Sequence, residues 1–300
     1  MKLDPPAMKA ASSLGAILVD SGKLTIDAAE RILRAQKEHG LLFGDAAIQL
    51  GLLTQQDLQF ALARQYDYPY LRAGDGAVSA ELIAAYQPFT PEVEALRALR
   101  SQLMLRWFGS ERTRRTLAIV SPARGEGRSY LAANLAVVFS QLGERTLLID
   151  ADLRNPRQHT LFKLENRAGL SSLLSGRGDA NDIQRVPSFV DLSILPAGPQ
   201  PPNPQELLGR PAFAKQLEEL AEAFDVVLVD TPASSQYADA RTIAVRAGGA
   251  LLVARKKASR IGYVRALAKQ LIQSGVVPVG SILNEPPLLP KKTSKPWHKR

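Results

Sequence analysis

Cysteine is absent from all 300 residues, which removes disulfide frameworks, thiolate metal sites and thiol redox chemistry together. Histidine is scarce: the three copies, His39, His159 and His298, stand far apart without ligand spacing, which speaks against a zinc centre. Aromatics make up 6% of the chain, and no recognition helix, finger or aromatic-interleaved basic region is present, so no specific nucleic-acid binding is expected. No uncharged apolar run approaches the ~18 residues needed to cross a bilayer. The opening MKLDPPAMKAASS has no apolar core of a secretory signal, and the expectation is a cytoplasmic protein.

What is present suits two domains better than one, with 45% hydrophobic residues to build their cores. The formal charge of +9 is spread thinly as arginine along helices and gathered in the segment KKTSKPWHKR. That pattern describes solvated basic faces and a disordered basic tail over 286–300, with weak attraction to an anionic membrane surface as the next reading.

The front of the chain repeats itself. LGAILVDSGKLTIDAAERILRAQ (14–36) aligns without gaps on FGDAAIQLGLLTQQDLQFALARQ (43–65), pairing Gly15 with Gly44, Gly22 with Gly51, Thr25 with Thr54 and Gln36 with Gln65. Each copy reads as a short helix, a glycine stop, a threonine N-cap and an amphipathic helix. Two such pairs predict a small all-α domain over 10–70, followed by a linker at 71–89, where glycine and proline break any helical period. The repeat resembles the N-terminal domain of type II secretion and type IV pilus ATPases, some of which bind a cyclic dinucleotide. Binding versions carry arginine before the Leu-Gly pair. Ser13 and Leu42 stand there in this chain, so the expectation is a docking module.

From Leu117 onward apolar strands alternate with helices, which predicts an α/β domain built on a parallel sheet. The candidate strands are 116–120, 146–150, 192–195, 225–230, 249–254 and 277–282. SPARGEGRSY follows the first and precedes a helix, so Gly125 and Gly127 bring backbone N–H groups against a polyphosphate at a helix N-terminus. Ser129 offers a hydroxyl to Mg²⁺. TLLIDADLR ends a strand in Asp150 and Asp152, expected on one face of that strand, and FDVVLVDTPA delivers Asp230 to the same cleft. Oxygen ligands of this kind suit Mg²⁺. A helix cap or strand-end turn accounts for any one of these carboxylates; their convergence on one loop favours the metal.

Residues 90–285 resemble the bacterial tyrosine autokinases that accompany exopolysaccharide and capsule synthesis. SPARGEGRS, LLIDADLR and VVLVDTP carry the likeness, with EALRALR, which sets Glu94, Arg97 and Arg100 three apart on a helix, and LPAGPQPPNPQELL (195–208). The resemblance implies a P-loop NTPase sheet flanked by helices. It implies ATP at Gly125, Glu126, Gly127, Arg128, Ser129 and Tyr130, with Asn284 at the adenine. Mg²⁺ would sit on Ser129, Asp150 and Asp230, and Asp152 would accept the tyrosine proton, with Asp150 and Arg128 beside it in the catalytic set. It further implies a homo-oligomeric ring docked through Glu94, Arg97 and Arg100, and a membrane-embedded chain-length (co-polymerase) partner that holds the kinase at the inner membrane.

Two departures qualify that likeness. Arg128 replaces the family's lysine, a planar fork in place of a compact point charge. Residues 285–300 hold no tyrosine, whereas autokinases end in a tyrosine-rich tail; the seven tyrosines are Tyr66, Tyr68, Tyr70, Tyr86, Tyr130, Tyr237 and Tyr263. An ATP-dependent tyrosine kinase is the leading reading, and a non-catalytic ATP-binding switch on the same membrane partner is the alternative. A partitioning ATPase would carry a further lysine where Ala123 stands.

Overall fold

The structure, a computed structural model, describes residues 13–65, 68–72, 74–109 and 114–285. The expected basic tail, Tyr66 and residues 10–12 of the front domain lie outside the described residues. The chain divides between Tyr70 and Leu71 into two units.

The front unit contains α1 (Leu14–Asp20), α2 (Ile26–His39), α3 (Phe43–Gln49) and α4 (Gln55–Gln65). Helix α1 packs on α4 and α2 on α3, so the two copies interlock, burying Leu18, Ile32, Ala46, Ala47 and Ala61. Both threonine caps form. Thr25 Oγ1 accepts from the Ala28 N–H at 3.2 Å, and Thr54 Oγ1 accepts from the Asp57 N–H at 3.2 Å while Asp57 accepts back from the Thr54 N–H at 3.1 Å. Gly22 and Gly51 turn with φ of +69° and +65°, a conformation that disfavours a side chain. Tyr70 sets its ring edge-on to Phe60, 6.2 Å between centroids.

The second unit opens with α5 (Ile83–Tyr86) and α6 (Pro91–Leu103), which runs on as a π-helical turn to Phe108. It continues β1 (Thr116–Val120), α7 (Arg128–Ser140), β2 (Thr146–Asp150), α8 (Gln158–Phe162), α9 (Leu170–Leu174), β3 (Gln184–Arg185) and β4 (Leu192–Leu195). Then follow α10 (Pro204–Gly209), α11 (Pro211–Ala223), β5 (Val226–Asp230), α12 (Asp239–Ala247), β6 (Gly249–Arg255), α13 (Ile261–Gln273) and β7 (Val277–Asn284). The sheet order is β3-β4-β2-β5-β1-β6-β7, parallel throughout except β3, a two-residue antiparallel edge that no run of apolar residues announces.

Alternation along the strands builds two cores. Leu117, Ile119, Leu148, Leu228 and Val253 face α5, α6 and α7; Ala118, Val120, Leu147, Val229 and Leu252 face the helices from α9 to α13. Helix α7 is apolar on every side because it is enclosed on every side.

The expected linker is part of this domain. Leu71, Val78, Leu82, Ala84 and Ala85 join the core, and α7 holds the segment by its side chains. Asn134 Oδ1 accepts from the Ala84 N–H at 3.0 Å, and Gln141 Nε2 donates to the Ala84 carbonyl at 3.1 Å. A segment bonded to another element needs no period of its own. Among the described residues no helix is long and apolar enough to cross a membrane.

Candidate active site

The carboxyl ends of the central parallel strands converge, the place where open α/β sheets bind ligands. After β1 the chain turns through Gly125 and Gly127 (φ +74° and +96°) into α7. That turn presents successive N–H groups at a helix N-terminus, the geometry for a polyphosphate. A Cβ on Gly127 would stand 2.0 Å from the Asn284 amide, so only glycine fits there.

The loop is braced by Glu126 and Asn284, which the sequence singled out, and by Ser259 and Arg255, which it did not. The Glu126 carboxylate is buried; it accepts from the Ala123 N–H at 2.7 Å and from the Ser259 hydroxyl. Arg255, at the end of β6, donates to the Gly125 carbonyl at 3.0 Å, and Asn284, at the end of β7, donates to the Glu126 carbonyl at 3.0 Å. These bonds fix the Gly125 and Glu126 carbonyls, and so the peptide planes of the loop. Glu126 and Asn284, expected as nucleotide contacts, are bonded to the loop itself.

Arg128 is buried, and its fork closes on its own chain. Nε donates to the Thr231 carbonyl at 2.9 Å, and Nη1 donates to the Ala123 carbonyl at 2.8 Å and to the Ser121 hydroxyl. The guanidinium thus ties the start of the loop to the residue following Asp230. A lysine ammonium lacks the planar fork for that span.

Asp150 and Asp230 are neighbours in the β2–β5 register, and both are fully buried. Asp150 Oδ2 accepts from the N–H groups of Arg157 and Gln158, each at 2.9 Å, and Oδ1 from that of Asp152 at 3.2 Å. Burial, and then the Asp230 charge beside it, push the Asp150 carboxyl well above the usual range. Burial also raises Asp230, against the opposing pull of Arg128 and hydrogen bonds from Gln158 and Ser129. Asp230 Oδ2 accepts from Gln158 Nε2 at 2.8 Å, while its Oδ1 is buried with no partner.

Asp152 lies just past the end of β2, so the shared-face expectation is corrected: it arrives by a turn. Its Oδ1 accepts from the N–H groups of Arg154 (3.3 Å) and Asn155 (2.9 Å), and its charge is felt by both buried carboxyls. Arg154 donates to the buried Asp239 at 2.7 Å and lies over the Tyr237 ring, 3.8 Å from its centroid. Burial, and then the charges of Glu92 and Glu81, raise the Tyr130 hydroxyl above its ordinary range.

These residues fit Mg²⁺. A hard, oxygen-seeking cation answers both the orphaned Asp230 Oδ1 and the two buried carboxylates side by side, with the Ser129 hydroxyl at the same Asp230 carboxylate. Among the described residues no group of three or more His, Asp or Glu side chains forms a metal cage.

The ring-docking residues sit on α6 as expected, but Arg100 donates to the Val138 carbonyl of its own α7 at 2.8 Å, and Arg97 pairs with Glu94.

Strand, glycine turn, enclosed helix and paired strand-end carboxylates together define a P-loop nucleotide-binding α/β protein. The family model described as cellulose biosynthesis protein BcsQ matches residues 115–271. The putative tyrosine-protein kinase CapB of Staphylococcus aureus is 34% identical over 195 residues, which cover 65% of this chain and 85% of CapB. The putative tyrosine-protein kinase EpsB of Ralstonia solanacearum is 36% identical over 68% of this chain, but the match spans only 27% of EpsB. The kinase domain of the Escherichia coli tyrosine kinase ETK superposes with a TM-score of 0.65 at 33% identity, over 73% of this chain and 84% of that domain. The chain belongs to the bacterial tyrosine-protein kinases and is, by family and fold, a protein-tyrosine kinase of the P-loop type.

Proposed function

We propose that this chain transfers the γ-phosphoryl group of ATP to tyrosine with Mg²⁺, within exopolysaccharide synthesis or export and alongside a membrane-embedded chain-length partner. The observation that carries the reading is the glycine turn into α7 with the paired, buried Asp150 and Asp230 at the ends of β2 and β5, both reached by Gln158, which also bonds to Ser129. ATP supplies the phosphoryl group and Mg²⁺ the neutralising charge when bound. Gly125, Gly127 and the α7 N-terminus hold the phosphates, and Ser129, Asp150 and Asp230 hold the metal. Asp152 takes the proton of the tyrosine hydroxyl as its oxygen bonds to the γ-phosphorus and ADP leaves. Arg128 keeps the loop and the β5 end in register. Such transfer rests on positioning and electrostatic stabilisation, the two things this arrangement provides. Work from the cytoplasmic side, assembly through the α6 face carrying Glu94 and Arg97, and docking by the front helical unit complete the reading.

A second reading, a nucleotide-gated switch without phosphotransfer, is favoured by the inward closure of Arg128. Phosphotyrosine formation by the full chain with Mg-ATP, in the presence of the cytoplasmic segment of a candidate membrane partner, separates the two. Signal lost in Asp152→Ala supports the kinase. Bound ATP without phosphotyrosine supports the switch, and an Arg128→Lys protein that gains signal would show the arginine to be what restrains the chemistry.

A further inference from the structure

We propose that Gln158 is the positioning residue of the metal site, selecting which oxygen of Asp230 is offered to Mg²⁺. The proposal rests on the Mg-ATP reading above. Gln158 is fully buried at the start of α8 and bonds to all three residues assigned to the metal, to two of them at the carboxylate and to Ser129 at the backbone. Its Nε2 donates to Asp230 Oδ2 at 2.8 Å and to the Ser129 carbonyl at 3.2 Å, and its backbone N–H donates to Asp150 Oδ2 at 2.9 Å. No other residue described above bonds to all three.

The consequence follows from the shape of a carboxylate. With Oδ2 held by an amide, the group is fixed in rotation and Oδ1 becomes the free ligand. Oδ1 is the buried oxygen that has no partner. Mg²⁺ demands near-octahedral geometry, so a carboxylate free to turn binds it less well than one held still. A merely structural buried glutamine would have both ends of its amide satisfied. Gln158 Oε1 is likewise buried with no partner, so the residue keeps a free acceptor for whatever the site would bind.

Fluorescence titration of the full chain with methylanthraniloyl-ATP, first in EDTA and then with increasing Mg²⁺, tests this. Gln158→Leu keeps the volume and removes the donors. Gln158→Glu keeps the shape and sets an acceptor against Asp230, so a folding defect in one variant does not decide the case. Both should raise the Mg²⁺ midpoint by about 10-fold or more while affinity in EDTA stays at the parent value. Glu81→Gln, on the exposed ion pair with the neighbouring Arg157, should leave both readings unchanged.

An unchanged Mg²⁺ midpoint in both variants, with Asp230→Ala still abolishing the Mg²⁺ dependence, would overturn the role of Gln158 and leave the site standing. An equal loss in EDTA and in Mg²⁺ would make Gln158 a structural residue and overturn it as well. A parent chain that binds no nucleotide would remove the underlying reading together with the proposal.

Discussion

The two units of this chain hold their polar groups in opposite ways. In the front unit the bonds are mostly local: Thr25 to Ala28 and Thr54 to Asp57, each three residues apart, with Lys23 to Asp57 reaching from one repeat to the other. In the sheet unit they reach across the fold. Gln158 meets Asp230 over 72 residues, Arg128 meets Thr231 over 103, and Asn284 meets Glu126 over 158. Local bonds stabilise a helix end wherever it lies. Long-range bonds exist only once the sheet is assembled, so the candidate site is a property of the tertiary fold, and damage to the core should reach it.

The largest effect that would sharpen this contrast is Phe139→Ala. Phe139 is fully buried on α7, edge-on to Phe108 at 5.3 Å. Truncation should cost about 3–5 kcal/mol. Urea unfolding followed by Trp107, which is buried in this unit and donates to the Thr116 carbonyl, should show the midpoint fall. Far-UV signal from the front helices should persist beyond that transition. Loss of both units together would break the comparison.

Arg128→Ala comes next, at about 3 kcal/mol, because it removes charge-assisted bonds from buried oxygens and the cation beside Asp230. The same Trp107 unfolding curve checks it. Arg128→Lys should recover only part of the loss, since the ammonium cannot span Thr231 and Ala123 together.

In the front unit the expected effect is smaller and pH-dependent. A hydrogen bond from Lys23, then the one from Thr54, hold the Asp57 carboxyl down at about 2 against an ordinary 3.8. A pKa depressed by folding contributes stability above the unfolded value and loses it as pH falls through the folded one. Asp57→Asn should therefore destabilise the front unit by about 1 kcal/mol at neutral pH. The gap to the parent should close between about pH 4 and pH 2, as thermal unfolding followed by circular dichroism at several pH values would show. A gap that persists below pH 2 would contradict this.

The smallest change concerns Arg145 and Asp225, a bidentate pair at 2.8 and 2.9 Å by the amino ends of β2 and β5. Both side chains are partly exposed, so Asp225→Asn should cost no more than about 1 kcal/mol and leave nucleotide binding unaltered.

The same contrast explains how much could be read from the residues alone. Strand ends, the glycine turn, Asp150, Asp230 and both threonine caps were legible, because each is tied to a local pattern or to the end of a strand. Gln158, Arg255 and Ser259 were not, since nothing near them in sequence tells what they will meet. Residues 71–89 looked like a linker for a related reason: Asn134 and Gln141 supply their order from another element. Asp152 was expected on a face of β2, but that strand stops at Asp150 and Asp152 follows it, held by the N–H groups of Arg154 and Asn155.

The account stands most directly on the carboxylate that β5 brings beside the loop. Calorimetric titration of Mg-ATP into the full chain and into Asp230→Ala is the measurement to make. Saturable, Mg²⁺-dependent binding by the parent that disappears in the variant, with the variant's Trp107 unfolding transition retained, is the predicted result. Equal Mg-ATP binding by the two proteins would contradict the placement of the site.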